Sequence, residues 1–133
     1  MRTAVDSNIL IDIFLPDPKF GEASREALKI QFSKGALIIG EIVYSELAAF
    51  FETQKDLDDA LRTLDIQLIP AHRDVCYKAG QSWKKYRKSG GDRQRVLADF
   101  LIASHSQAFA DALLTRDRGF YRKYFSDLLI IEP

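Results

Sequence analysis

The alternation of short apolar segments with longer helical segments most constrains the fold of this chain. The short segments lie at residues 3–5, 36–39, 66–69, 112–115 and 128–131. Strands that are apolar on both faces are typical of a parallel sheet covered by helices. Parallel strands joined through helices require right-handed crossovers. The pattern therefore predicts an α/β fold, namely a three-layer α/β/α sandwich around a five-stranded, mainly parallel sheet.

Segments of helical periodicity separate these strands. Ser7 and Asn8 are favourable N-caps for the first helix, whose apolar residues repeat with helical spacing up to Pro16. Gly35 ends the second helix, and the Ser-Gly-Gly turn at 89–91 ends a long basic helix. The later helices are predicted at 18–34, 42–53, 56–64, 72–89, 94–109 and 118–124.

Length and composition favour a single folded domain. The 133 residues match one domain, and 47% hydrophobic with 29% charged residues excludes a disordered tail or a coiled-coil rod. The single cysteine, Cys76, excludes an internal disulfide and is typical of a reducing compartment. No apolar segment approaches the length of a membrane span. We therefore expect one cytoplasmic domain over residues 1–133 that does not contact a membrane.

The net charge of zero conceals a basic segment. Residues 73–95 contain eight basic and two acidic residues. Such a segment attracts a phosphate backbone, although a solvated helix surface accounts for it as well. Trp83, which lies within it, either stacks on an unpaired base or packs the helix onto the sheet. Both interpretations stay open at the level of sequence.

Acidic residues follow the predicted strands. Asp6 directly follows the first strand and Asp117 the fourth, while Glu41 and Glu46 follow the second. Ligands bind beyond the carboxyl ends of the strands in an open parallel sheet. Asp99, in the first turns of the helix before the fourth strand, can point to the same edge. We therefore expect four of these carboxylates, those of Asp6, Glu46, Asp99 and Asp117, to converge there.

Four converging carboxylates repel one another unless a cation is present. Mg²⁺ and Mn²⁺ prefer carboxylate and water oxygens, and such sites polarise phosphoryl groups and generate hydroxide. The arrangement points to hydrolysis of a phosphodiester. Each acid also has a structural explanation, since Asp6 and Asp117 can cap helices and Asp99 suits a helix start. Glu46 has mostly apolar neighbours, which predicts a partly enclosed side chain.

Four segments resemble the motifs of PIN-domain nucleases, and each contains one of the four acids. They are AVDSNIL at 4–10, IVYSEL at 42–47, LADFLIA at 97–103 and LLTRDRGF at 113–120. Their order and spacing suit one small domain, and the resemblance covers essentially the whole chain. The compact size resembles the VapC-type toxins of type II toxin–antitoxin pairs.

The resemblance implies a PIN-like fold and an Mg²⁺- or Mn²⁺-dependent endoribonuclease, in which metal-activated water cuts RNA. The implied metal ligands and catalytic residues are Asp6, Glu46, Asp99 and Asp117. Polar residues that support this site are implied at Ser7, Asn8 and Thr115. The resemblance further implies a homodimer. It also implies the usual partner of this family, a small antitoxin whose C-terminal segment blocks the site with a basic side chain.

Three arginines near the third and fourth motifs, Arg93, Arg95 and Arg116, are predicted to hold RNA phosphates. The charged residues at 93–95 and the Ser-His pair at 104–105 depart from the family pattern, which leaves the substrate preference open. His105 itself is predicted to lie on a helix surface.

Two other functions remain open. One is an α/β metal-dependent phosphatase or DNA nuclease that uses the same acids. The other is a non-catalytic PIN-like module that binds operator DNA together with a partner. Cleavage of RNA, DNA and phosphomonoesters separates the first from a ribonuclease, and partner-dependent DNA binding without cleavage distinguishes the second.

Overall fold

The computed structural model describes residues 1–91 and 95–133 of the chain. The strands in these residues are β1 (Arg2–Val5), β2 (Ala36–Ile39), β3 (Ile66–Leu68), β4 (Ala112–Leu114) and β5 (Leu129–Ile131). The helices are α1 (Ser7–Phe14), α2 (Gly21–Lys34), α3 (Glu41–Ala48), α4 (Gln54–Thr63), α5 (Arg73–Lys88), α6 (Leu97–Phe109) and α7 (Arg118–Tyr124).

The strands form one sheet in the order β3-β2-β1-β4-β5, and every pair of neighbours in it is parallel. Ala4 of β1 lies in register with Ile38 of β2 and Leu113 of β4. The expected α/β class and the five-stranded sheet are confirmed.

Helices cover both faces of the sheet. Ala4 and Val5 in β1 are buried, as are Leu113 and Leu114 in β4. Because successive side chains of a strand point to opposite faces, burial of adjacent residues means that both faces are covered. The three-layer arrangement follows from this burial pattern.

The sheet has a topological switch point between β1 and β4. From β1 the chain continues to β2 on one side, whereas β4 lies on the other side. Asp6 follows β1 directly, and its backbone N–H donates to the Leu114 carbonyl at 2.9 Å. Ligands of open parallel sheets bind beyond the strand ends at such a point. The fold therefore places the first and fourth motifs side by side.

The first helix begins one residue earlier than its predicted caps imply. Asp6 is the N-cap of α1, and its Oδ1 accepts a hydrogen bond from the Ser7 backbone at 2.8 Å. The prediction that Ser7 and Asn8 cap this helix was wrong, because the acid before them already has the extended backbone of a cap.

Other helices also begin or end at residues that differ from the predicted ones, in places because a polar side chain fixes a turn or caps the helix. Oδ1 of Asp17 accepts hydrogen bonds from the backbone of Lys19 and Phe20, which delays the start of α2 to Gly21. The helix predicted at 42–53 ends at Ala48, and Thr53 then caps α4. Helix α6 begins at Leu97, and residue 94, the predicted start, lies outside the described residues.

No helix in the described part of the chain is long and apolar enough to cross a membrane.

Candidate functional site

Asp6 lies at the centre of the acidic cluster and is held at both carboxylate oxygens. Oδ1 accepts from the Ser7 backbone at 2.8 Å, and Oδ2 accepts from Thr115 Oγ1 at 2.8 Å. The Tyr121 hydroxyl also donates to Oδ2, at 3.5 Å. The residue is only 5% exposed. Burial raises its pKa to about 6, against the effect of the Thr115 and Ser7 hydrogen bonds, and the charges of Glu46 and Asp99 add to the rise.

Glu46 reaches the cluster from α3. Ser7 Oγ donates to Glu46 Oε1 at 3.0 Å and lies 3.5 Å from Asp6 Oδ1, so one hydroxyl connects the two acids. The residue as a whole is exposed, but its carboxylate lies in a part-buried hydrogen bond, as the expected partial enclosure of its side chain implies. Desolvation of its carboxylate raises its pKa, with a further contribution from the charge of Asp99.

Asp99 enters the cluster from the first turn of α6. Its Oδ2 accepts a hydrogen bond from the Val96 backbone at 3.3 Å, so it also caps the helix. Desolvation raises its pKa, and the charge of Asp117 raises it further, while the Val96 N–H and Arg95 act in the opposite direction. The structural and functional explanations of this acid are therefore compatible.

Asp117 is paired with an arginine. The Arg95 guanidinium donates to both carboxylate oxygens, with Nη2 at 3.0 Å from Oδ1 and Nη1 hydrogen-bonded to Oδ2. Arg95 also lies over the Phe120 ring at 4.4 Å, which fixes the plane of the guanidinium. The backbone N–H of Asp117 donates to Thr115 Oγ1 at 3.0 Å. An internal cation therefore balances one of the four acids.

The polar residues predicted to support the site are all found in it. Thr115 Oγ1 donates to Asp6 and accepts from Asp117, so it connects the ends of β1 and β4. Asn8 Nδ2 donates to Thr115 Oγ1 at 3.4 Å, and its Oδ1 accepts from the Arg116 backbone at 3.4 Å. Together with Ser7, these side chains form the hydrogen bonds that orient the acids.

The cluster has the donor chemistry of a hard-cation site but not a closed metal cage. In residues 1–91 and 95–133, no three Asp, Glu, His or Cys side chains stand in an arrangement that would hold a metal ion as it is. The donors are carboxylates, and Asp6, Glu46 and Asp99 have raised pKa values. A divalent cation offsets both the desolvation and the mutual repulsion of these carboxylates, so the residues fit Mg²⁺ or Mn²⁺.

Glu41 does not join the cluster. Both of its carboxylate oxygens accept from the Ala71 backbone, at 2.9 and 3.1 Å, so it fixes the chain that leads into α5. Its position after β2 made it a candidate for the acidic site by sequence, but its side chain has a structural role.

Two of the predicted RNA-binding arginines have partners within the protein, and Arg93 lies outside the described residues. Arg95 binds Asp117, as described above. Arg116 binds Asp12, with Nε at 2.8 Å from Oδ2 and Nη2 at 3.0 Å from Oδ1. Sequence reasoning missed Asp12. The available signal was a single acid inside the otherwise apolar segment 9–14.

His105 lies in the interior, and its predicted place on a helix surface was wrong. It is 4% exposed, and its Nε2 is 2.6 Å from the Ile69 carbonyl oxygen. Burial lowers its pKa, although the hydrogen bond to Ile69 opposes this effect. It packs beneath Gly40 at the start of α3 and has a structural role there.

The family model of the PIN domain matches residues 3–126. The chain belongs to the PIN domain family. Members of this family generally use divalent metal ions. The match includes the segments that carry Asp6, Glu46, Asp99 and Asp117, so the resemblance of the four motifs to this family is confirmed. A comparison with curated proteins gave no significant match.

Solved structures share the fold of this PIN domain over its whole length. VapBC2 from Rickettsia felis, bound to a DNA fragment from its promoter, is 17% identical with a TM-score of 0.76, covering 100% of this chain and 99% of that chain. VapBC-1 from nontypeable Haemophilus influenzae is 19% identical with a TM-score of 0.74, covering 99% and 98%. FitAcB from Neisseria gonorrhoeae is 18% identical with a TM-score of 0.65, covering 97% and 96%.

Proposed function

We propose that this PIN domain is an Mg²⁺- or Mn²⁺-dependent endoribonuclease and the toxin of a type II toxin–antitoxin pair. The observation that carries the proposal is the acidic cluster at the switch point of the sheet. Four carboxylates from four separate segments meet there, and three of them have raised pKa values. Desolvation, together with the mutual repulsion of these carboxylates, lowers the stability of the folded chain, and such perturbed acids are typical of a functional site.

The residues that would hold the metal are Asp6, Glu46, Asp99 and Asp117. A bound divalent cation polarises the phosphoryl group and lowers the pKa of water, so that hydroxide forms near neutral pH. Mg²⁺ keeps several waters when it binds to a few carboxylates, which suits an open cluster of this kind. Phosphodiester hydrolysis is the chemistry that such a donor set supports.

The acids differ in what they can do in that reaction. Asp6 is anchored at both oxygens by Ser7 and Thr115, so it suits a fixed ligand. Glu46 and Asp99 lie nearer to solvent with raised pKa values, so either can accept the proton of the attacking water. Ser7 Oγ holds Glu46 beside Asp6 through a hydrogen bond, and Thr115 Oγ1 holds Asp117 through the hydrogen bond that it accepts from the Asp117 backbone.

The partners proposed are an RNA substrate, a cognate antitoxin and a second copy of the chain, all in the cytoplasm. The solved VapBC structures support the antitoxin, because each contains a toxin of this fold together with its partner protein. A basic side chain of the antitoxin would bind the same carboxylates that Arg95 approaches from within the chain.

A second candidate is a module that binds promoter DNA with its partner and does not cleave. The observation that favours it is the Rickettsia felis complex, which is bound to a promoter fragment. This candidate predicts DNA binding that requires the partner protein and is insensitive to loss of the acids. The ribonuclease predicts cleavage that requires the acids and a metal.

The deciding experiment is cleavage of total cellular RNA by the purified chain with Mn²⁺, with Mg²⁺ and with EDTA. Asp99→Asn tests the cluster, and Asp59→Asn, an exposed acid on α4, is the matched control. We expect discrete cuts that need a metal, persist in Asp59→Asn and disappear in Asp99→Asn while its circular dichroism spectrum stays unchanged. Cutting by Asp99→Asn at the wild-type rate would overturn the proposal. Parallel reactions with DNA and a phosphomonoester test the alternative hydrolases.

A further inference from the structure

A cavity of about 90 Å³ is lined by residues of β1, β2, α3, α5 and α6. Its inner end is formed by Val5 at the end of β1 and Ile39 at the end of β2, and both are buried. Ala71 and Cys76 also line it, and Cys76 is exposed, so the cavity reaches solvent near the start of α5. A small molecule can therefore enter it without unfolding the chain.

The walls of the cavity are mostly apolar. Buried aliphatic side chains of three elements face each other across it, namely those of Val5, Val43 and Ile102. An apolar cavity of about 150 Å³ takes benzene, a ring of six carbon atoms, whereas water needs polar partners in order to stay. On this scale a cavity of about 90 Å³ suits an aliphatic group of about four carbon atoms.

His105 provides a hydrogen-bond acceptor in one wall of the cavity. Its Nε2 lies 2.6 Å from the Ile69 carbonyl oxygen, and a carbonyl only accepts, so Nε2 donates. Burial lowers the pKa of His105, which keeps the ring neutral near pH 7. In a neutral ring with the proton on Nε2, Nδ1 is an acceptor. A ligand with one hydroxyl donor fits such a wall better than a pure hydrocarbon does.

Glu41 places a carboxylate at the mouth of the cavity. Both of its oxygens accept hydrogen bonds from the Ala71 backbone, at 2.9 and 3.1 Å, and both residues line the cavity. Neither Lys nor Arg stands among the described residues that line it. An anionic ligand would meet a like charge with no cation to balance it, so the cavity favours a neutral molecule.

The walls of the cavity belong to segments that carry three of the four acids of the cluster. Val5 directly precedes Asp6 in the chain. Val43 lies three residues before Glu46 on α3, and α6, which carries Asp99, forms a third wall. A ligand that fills the cavity restricts the motion of these segments relative to one another. Acids that are already held in place lose less freedom when they bind a cation.

We propose that this cavity is an effector site for a small neutral aliphatic alcohol of about four carbon atoms, whose hydroxyl donates to His105. Occupancy of the cavity strengthens cation binding by the acidic cluster. This second part rests on the proposed metal-dependent function, whereas the alcohol site does not. Because such coupling is reciprocal, the cation strengthens binding of the alcohol by the same factor.

Saturation-transfer NMR on the whole chain in EDTA tests the alcohol site, with isobutanol as the probe. We expect saturation of the protein to reach the methyl groups of isobutanol, with a dissociation constant of about 1–10 mM, as suits so small a ligand. The methyl ether of isobutanol lacks the hydroxyl donor, and isobutyrate carries a negative charge. Both should bind at least about fivefold more weakly. No saturation transfer to isobutanol, or equal binding of either analogue, would overturn the proposal.

A matched pair of variants locates the bound alcohol. Ala71→Leu adds three carbon atoms at the mouth of the cavity, and Ala23→Leu adds the same atoms on the exposed surface of α2. Ala71 is partly exposed and Ala23 is exposed, so both variants should fold, which circular dichroism checks. We expect Ala71→Leu to weaken isobutanol binding at least about fivefold and Ala23→Leu to leave it unchanged. Wild-type binding by Ala71→Leu would show that the alcohol binds elsewhere and would overturn the site.

Calorimetry with Mn²⁺, in the presence and absence of saturating isobutanol, tests the effector role. We expect the alcohol to lower the dissociation constant of Mn²⁺ about fivefold, and Ala71→Leu to lose this effect. An unchanged Mn²⁺ affinity would overturn the effector role and leave the proposed ribonuclease in place. If the chain binds no Mn²⁺ in either condition, the proposed metal site fails and the effector role with it. The NMR experiment decides the alcohol site in every case.

Discussion

Asp12 and Arg116 form an ion pair that ties α1 to the turn between β4 and α7, where Asp117 lies. Two guanidinium nitrogens of Arg116 donate to the two carboxylate oxygens of Asp12, at 2.8 and 3.0 Å. Asp12 is 3% exposed and also accepts from Ser24 Oγ at 2.7 Å. Arg116 further lies over the Phe20 ring at 4.1 Å. The arginine next to Asp117 is therefore an anchor of that turn.

Removing this anchor should destabilise the chain. In Arg116→Met the buried Asp12 carboxylate has lost its cation, which typically costs about 3 kcal/mol. We expect a loss of that order in the free energy of unfolding, measured by urea titration at pH 7. Mn²⁺ binding, measured by calorimetry, should weaken as well, because the turn no longer fixes Asp117.

The exposed ion pairs on α4 provide the control for this effect. Asp59 binds Lys55 at 2.5 Å and Arg62 at 2.7 Å, but all three side chains face solvent. Solvent screening makes such pairs weak, so Asp59→Asn should hardly change the unfolding midpoint. If Arg116→Met is as mild as Asp59→Asn, the Asp12 pair does not anchor the turn.

Arg95 should compete with a metal for Asp117. A divalent cation that uses this carboxylate must displace a guanidinium that donates to both of its oxygens. We expect Arg95→Gln to bind Mn²⁺ about fivefold more tightly, because a partly exposed ion pair contributes about 1 kcal/mol. Calorimetry with Mn²⁺ alone measures this, and Lys85→Gln is the control for loss of one positive charge. Weaker Mn²⁺ binding by Arg95→Gln would show that Arg95 supports the metal site.

The edge of the sheet at which the acids meet could be predicted because it depends on local features. Each apolar strand and the residue after it are visible in the sequence, and a parallel sheet brings the ends of its strands to one edge. That argument predicts that Asp6 and Asp117 lie close together, and it needs no measured distance. The resemblance to a known family added the polar residues Ser7, Asn8 and Thr115 to the same site.

The partners of the two arginines could not be predicted in this way. Arg116 and Asp12 are 104 positions apart, and no local spacing selects one of the 19 acids in the chain as its partner. His105 failed for a related reason, because its burial depends on the glycine at position 40 and a carbonyl at position 69. Contacts made by distant segments require the packing of the helices, which periodicity alone does not fix.

The raised pKa of Asp6 predicts how stability changes with pH in the absence of metal. The folded chain binds this proton more tightly than the unfolded chain, since burial raises the pKa from 3.8 to about 6. The contribution of Asp6 to the free energy of unfolding is therefore fully present below about pH 4 and is lost as the pH rises through about 6. The rise of this pKa corresponds to about 3 kcal/mol in total.

Asp6→Asn isolates that contribution from those of the other acids. In EDTA the variant and the wild type should be similarly stable near pH 4, and the variant should be more stable by up to about 3 kcal/mol at pH 7. Urea titrations at the two pH values measure the difference. Added Mn²⁺ should reduce the advantage of the variant at pH 7, because it offsets the charge of Asp6 only in the wild type. If the difference in unfolding free energy between the variant and the wild type does not change with pH, ionisation of Asp6 does not destabilise the folded chain.

Gly40, which caps α3 just before the segment that carries Glu46, lacks room for a side chain. A Cβ at this position would lie 2.9 Å from His105 Cδ2 and 3.0 Å from Cγ. His105 cannot easily retreat, since it is buried and its Nε2 is bonded to the Ile69 carbonyl. Gly40→Ala should therefore destabilise the chain by about 1–3 kcal/mol, the usual cost of overpacking.

Gly80, inside α5 with nothing within 4 Å of a new Cβ, is the matched control. Gly80→Ala should stabilise the chain by about 0.5–1 kcal/mol through its effect on helix propensity. Equal shifts of the two urea midpoints would mean that His105 yields to the added methyl group and does not fix the start of α3.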